Sequence, residues 1–129
     1  MNLVDSSGWI EFFKAGANGP IFKPVIEDRH RLLVPTIALL EAHKVFSRAL
    51  PQDLVKRCLD VMRLGKVLDF TDRRAIAASQ VAVQHKLAMA DAAMYSMAQE
   101  FDATFWTQDV DYQGLPGVQY HSKAVRQID

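Results

Sequence analysis

Five short apolar runs recur along the chain, and stretches of helical periodicity separate most of them. The runs are Asn2–Val4, Leu32–Val34, Val67–Phe70, Thr104–Thr107 and Val118–His121. Short apolar strands that alternate with helices form β-α-β units, and such units build a mostly parallel sheet covered on both faces. No internal repeat, linker or low-complexity tract interrupts the pattern. The expected architecture is one α/β domain over residues 1–129, with three α/β/α layers. The polar tail from about Lys123 is expected to fray.

The intervening helices carry their own punctuation. Asp5-Ser6-Ser7 can cap a helix whose apolar face is Trp9, Ile10, Phe12 and Phe13. Gly16, Gly19 and Pro20 break it. Thr36 is expected to cap the next helix, with Leu39, Ala42, Phe46 and Ala49 as its buried stripe. Pro51 opens a helix through Leu54, Val55, Cys58, Leu59 and Met62, and Gly65 closes it. Thr71 caps an alanine-rich helix to about Lys86. Met89 to Phe101 is another helix, with Ala90, Met94, Met97 and Phe101 on one side.

Bulk properties narrow the function. Fifteen Lys+Arg balance fifteen Asp+Glu, which argues against nucleic-acid binding by bulk charge alone. Arg29–Arg31, Lys56–Arg57 and Arg73–Arg74 remain as local basic clusters, which read as solvated faces. One cysteine, Cys58, excludes an internal disulfide and fits a reducing compartment. It reads as a packed small hydrophobe. No run approaches the roughly 20 apolar residues of a membrane span. The start MNLVDSSGW lacks the basic region of a secretory signal. A cytoplasmic protein with no membrane partner is expected.

Against this ordinary background, four carboxylates sit at the ends of apolar segments: Asp5, Glu41, Asp91 and Asp109. Ionised carboxylates beside apolar chain are costly unless something compensates their desolvation. Asp5 and Asp109 lie just past the first and fourth strands, at the carboxyl edge where open parallel sheets form their sites. Asp91 and Glu41 lie in the first and second turns of helices that start near that edge. Asp111 is a possible fifth member. Such a convergence of anions persists only with protons or cations. A set of hard oxygen ligands without His or Cys suits Mg²⁺ or Mn²⁺, whose chemistry includes phosphodiester hydrolysis. Ser6 and Thr107 would orient ligands or phosphate.

Each acid also has an ordinary explanation. Asp5 can be a helix cap, Glu41 a partner of Lys44, Asp91 a favourable charge at a helix N-terminus, and Asp109 and Asp111 turn residues. His43, His85 and His121 lack metal-ligand spacing. Trp9 and Trp106 read as core rather than as platforms for bases.

The segments VDSSGWIEFF, TIALLEAHKVFSR and LAMADAAMYSMAQEFDATFWTQDVDYQGLPGV add a family likeness. In order and context the chain resembles the PIN-domain ribonucleases, and among them the VapC-type toxins of toxin–antitoxin modules. The resemblance spans about Asn2 to His121. It implies a small PIN-like α/β/α domain and a Mg²⁺- or Mn²⁺-dependent endoribonuclease. The acidic quartet carries over to Asp5, Glu41, Asp91 and Asp109, with Asp111 as the less constant acid. The hydroxyl after the first acid matches Ser6, and the T-x-D pattern matches Thr107-Gln108-Asp109. Tyr112 stands where the family often has Phe. The resemblance further implies an RNA substrate, a homodimer and a cognate antitoxin whose C-terminal segment covers the site. The alternative is a non-catalytic PIN-like RNA-binding or scaffold protein.

Overall fold

The computed structural model describes residues 1–123. Past Lys123, the tail expected to fray lies outside the described residues. Five strands form one all-parallel sheet: β1 (Asn2–Val4), β2 (Leu32–Pro35), β3 (Lys66–Leu68), β4 (Thr104–Thr107) and β5 (Val118–Tyr120). Six helices connect them: α1 (Ser6–Phe13), α2 (Gly19–Glu27), α3 (Thr36–Ala49), α4 (Gln52–Met62), α5 (Asp72–His85) and α6 (Met89–Glu100).

The strand order is β3-β2-β1-β4-β5. The chain steps outward from β1 through β2 to β3, then returns to the other side of β1 for β4 and β5. With right-handed crossovers, this reversal puts α1–α4 and α5–α6 on opposite faces, the three-layer α/β/α arrangement. It also makes the β1/β4 boundary the topological switch point, where the first connections on either side diverge and leave a crevice. Register places Val4 beside Trp106, so Asp5 and Thr107 leave the sheet side by side.

The core explains the local structure. β2 is buried at all four residues, as a strand covered on both faces must be. Trp9 is fully buried and stacks on Phe13, which meets Phe46 edge-on at 5.5 Å. Ile10, Phe12 and Phe13 pack against the same core, so the aromatic stripe of α1 is largely spent inside the domain. Cys58 is half-buried against it.

Several elements depart from the sequence expectation. Helix α2 starts within the Gly16-Gly19-Pro20 breakers, at Gly19. Its Phe22, Val25 and Ile26 are buried at helical spacing, and the exposed Pro20 and Pro24 leave the lost hydrogen bond to solvent. Pro35, not Thr36, occupies the N-cap position of α3 and supplies no side-chain cap. The buried seam of α3 runs through Ala38, Ala42 and Phe46, while Ala49 is exposed. Strand β3 ends at Leu68, and Phe70 lies outside it. Helix α6 is buried continuously from Ala92 to Ala98, because α5 and the sheet cover it from different sides.

Candidate active site

The site begins with the N-terminus of α1. Asp5 is its N-cap: Oδ1 accepts from the Gly8 backbone N–H at 3.0 Å and from Ser7 Oγ at 2.7 Å. Gly8 has to be glycine for this contact. A Cβ there would lie 2.6 Å from Val4 Cγ1 and 3.0 Å from Phe22 Cδ1, so a side chain would push α1 off β1. The other oxygen, Asp5 Oδ2, accepts from Thr107 Oγ1 at 2.7 Å. Asp5 is only 2% exposed. Burial pushes its pKa up to about 6, against the lowering effect of Ser7, Thr107 and Gly8, and the Asp109 carboxylate adds to the rise.

Thr107 links this acid to the next. Its Oγ1 donates to Asp5 and accepts from the Asp109 backbone N–H at 2.9 Å. Asp109 Oδ1 accepts in turn from the Asp111 N–H at 3.0 Å, capping a 3₁₀ turn over Val110–Tyr112. That turn folds Asp111 back beside Asp109. Asp91, in the first turn of α6, completes a group of three carboxylates that can each offer an oxygen within 4.8 Å of the others.

Glu41 stands beside this trio. Its Oε1 accepts from Ser6 Oγ at 3.0 Å, rather than pairing with Lys44, and its charge reaches Asp91. Burial raises the Asp91 pKa, and the Asp109, Glu41 and Asp111 carboxylates raise it further, while Tyr112 opposes the rise. The structure therefore brings Asp91, Asp109 and Asp111 tightly together. Asp5 and Glu41 flank them and stay outside the 4.8 Å group.

The two serines divide their work. Ser6, the hydroxyl singled out from sequence, holds Glu41, while its neighbour Ser7 holds Asp5 and accepts from the Gln108 N–H at 3.3 Å. Successive helical residues point about 100° apart, so adjacent serines reach different acids. In the sequence Ser7 reads only as part of a helix start. Tyr112 likewise reads only as a replacement for Phe, yet its fully buried hydroxyl lies at the Asp91 carboxylate. It stops short of hydrogen-bond geometry there. His43, His85 and His121 make no contact with the acids among the described hydrogen bonds and ion pairs.

All the candidate donors are hard carboxylate oxygens, and their mutual repulsion is relieved when a cation enters. The residues present therefore fit a divalent ion held at Asp91, Asp109 and Asp111. The family model of the PIN domain matches residues 3–117, from the first strand past the last of these acids. The chain belongs to the PIN domain family.

Solved structures repeat the fold of this PIN domain at low sequence identity. A toxin–antitoxin complex from Klebsiella pneumoniae superposes with a TM-score of 0.79 at 18% identity, over 96% of this chain and 100% of that one. VapBC2 from Rickettsia felis, bound to a promoter DNA fragment, gives 0.70 at 12%, over 94% and 97%. VapC20 of Mycobacterium tuberculosis, a sarcin–ricin loop cleaving toxin, gives 0.69 at 13%, over 88% and 92%. No curated protein matches the chain in sequence.

Proposed function

We propose that this PIN domain is a Mg²⁺- or Mn²⁺-dependent endoribonuclease and the toxin of a toxin–antitoxin module. The observation that carries the reading is the trio Asp91, Asp109 and Asp111 at the switch point of the sheet, with Asp5 and Glu41 on its flanks. Asp91, Asp109 and Asp111 would hold the ion. When bound, a divalent ion polarises a phosphodiester and lowers the pKa of a water.

The protein's own groups set the stage for that chemistry. Asp5 Oδ1 accepts from both Gly8 and Ser7, while Oδ2 accepts from Thr107 alone among the described residues and keeps a second lone pair. Thr107 fixes that oxygen and the start of the Asp109 turn with one hydroxyl. Ser6 fixes Glu41 and leaves Oε2 to face ligand or solvent. A carboxylate held in this way can orient a nucleophilic water or accept its proton. A non-catalytic scaffold gains nothing from carboxylates that repel one another in a partly buried pocket.

Toxin–antitoxin complexes among the structural relatives support an antitoxin partner, and the sarcin–ricin loop cleaving relative supports a ribonuclease activity. Large exposed apolar side chains beside the acids, Leu40, Met89 and Val110, suit a pocket that a partner covers. The antitoxin and a second copy of this chain are the proposed partners, RNA the proposed substrate and the cytoplasm the proposed location. No helix among the described residues is long and apolar enough to cross a membrane.

The test is inducible expression in a bacterial host. The wild-type chain should arrest growth, Asp109→Asn at equal expression should not, and the product of an adjacent antitoxin gene should restore growth. Unimpaired growth with the wild-type chain, at a level verified by blot, would contradict the toxin reading.

A further inference from the structure

Two tyrosines lie deep in the domain, and they are treated differently. The Tyr95 hydroxyl donates to the Pro116 carbonyl at 2.6 Å. The Tyr112 hydroxyl is fully buried and has no hydrogen-bond partner among the described residues. A phenylalanine at this position would pack the same ring and avoid the desolvation cost of an orphaned hydroxyl. The ring itself has little freedom. It lies 4.6 Å from Phe105 and 6.3 Å from Tyr95, centroid to centroid. Its backbone N–H donates to the Asp109 carbonyl at 3.2 Å within the turn that carries Asp111. The hydroxyl is therefore aimed by the core, and it is aimed at the acids: its neighbouring carboxylate is Asp91, with Asp5 and Asp109 beyond.

We propose that Tyr112 is a positioning residue for cation binding: its hydroxyl donates to one Asp91 carboxylate oxygen when a divalent cation draws Asp91, Asp109 and Asp111 together, leaving the other oxygen to the ion. This rests on the reading of the trio as a divalent-cation site. A hydrogen bond to the ionised form of a carboxylate favours that form. A tyrosine hydroxyl carries its proton at neutral pH, so it is available as a donor. The bond costs nothing to organise, because the ring is already locked. Partners of this kind, behind a metal-ligating carboxylate, fix ligand orientation. The buried hydroxyl, unpaired among the described residues, thus gains a partner in the ion-bound site.

The experiment is calorimetric titration of metal-free protein with Mn²⁺ at pH 7.5, on wild type, Tyr112→Phe and Asp109→Asn, with a melting curve of each metal-free protein. Wild type should bind Mn²⁺ and Asp109→Asn should lose most of that binding. Tyr112→Phe should bind about 10-fold more weakly, at the lower end of the loss expected for such a partner. Metal-free Tyr112→Phe should melt at or above the wild-type temperature, since it sheds an unpaired buried hydroxyl. Equal Mn²⁺ affinity in wild type and Tyr112→Phe would overturn the proposal and leave the cation site standing. A lower metal-free melting temperature with unchanged affinity would overturn it in favour of a packing role. No Mn²⁺ binding by wild type would overturn the cation-site reading and the proposal together.

Discussion

Asp5 shows how one carboxylate serves two purposes. Oδ1 caps α1, and Oδ2 accepts from Thr107, the residue that also holds the start of the Asp109 turn. From sequence, cap and site acid look like alternatives, because residue type says nothing about which oxygen goes where. The geometry makes them compatible: the cap uses Oδ1, and Oδ2 is tied through Thr107 to Asp109. The arrangement has a thermodynamic cost. Raising the Asp5 pKa from its ordinary 3.8 to about 6 corresponds to about 3 kcal/mol between folded and unfolded chains. Because the folded pKa is the higher, this contribution to stability is full below about 3.8. It is lost as pH rises through about 6. Asp5→Asn carries no such charge. Without metal, in EDTA, its stability relative to wild type should be higher at pH 8 than at pH 4, by about 1–3 kcal/mol. Parallel melting curves across that range would contradict the assigned environment of Asp5.

At the scale of elements, the close approach of α1 to β1 carries the site. Gly8→Ala puts a methyl group against Val4 and Phe22 and should cost about 1–3 kcal/mol, as overpacking does. Urea unfolding measures it, and nuclease activity should fall further than stability alone explains, because the Gly8 N–H anchors Asp5. All five strands and five of the six helices are legible in the sequence, since the apolar period marks them and capping residues reinforce it at α1 and α5. The Thr71 cap of α5 is an example, with Thr71 Oγ1 accepting from the Arg74 N–H. Helix α2 was not legible. Its local signals, two glycines and two prolines, oppose a helix, and only burial of Phe22, Val25 and Ile26 against the sheet overrides them. The seam of α3 shifted for a related reason. Alanine gives no strong apolar signal, so Ala38 is identified as core only by what packs on it.

For the whole molecule, strand order turns scattered residues into a site. Asp5 and Asp109 are more than a hundred positions apart in sequence, and adjacency of β1 and β4 joins them through Thr107. The carboxyl-edge rule anticipates that these two acids share an edge. It does not anticipate that Asp91, Asp109 and Asp111 form the tight group while Asp5 and Glu41 flank it, because the turn over Val110–Tyr112 decides that. A pocket built from mutually repelling anions stores energy that a cation releases. Millimolar Mn²⁺ should therefore raise the melting temperature through binding to the folded state alone, and Asp91→Asn should remove most of the rise. An equal rise in both proteins would locate the ion elsewhere.

As proposed, these acids cleave RNA with the help of a divalent ion. The direct measurement is cleavage of a structured RNA by purified protein, with Mn²⁺ or with EDTA, for wild type, Asp91→Asn and Asp109→Asn. The wild-type protein should cleave only with the ion. Both folded variants should be slower by at least about 100-fold, the scale of losing a preorganised electrostatic group. Cleavage that persists in EDTA, or variants that match wild type, would contradict the account.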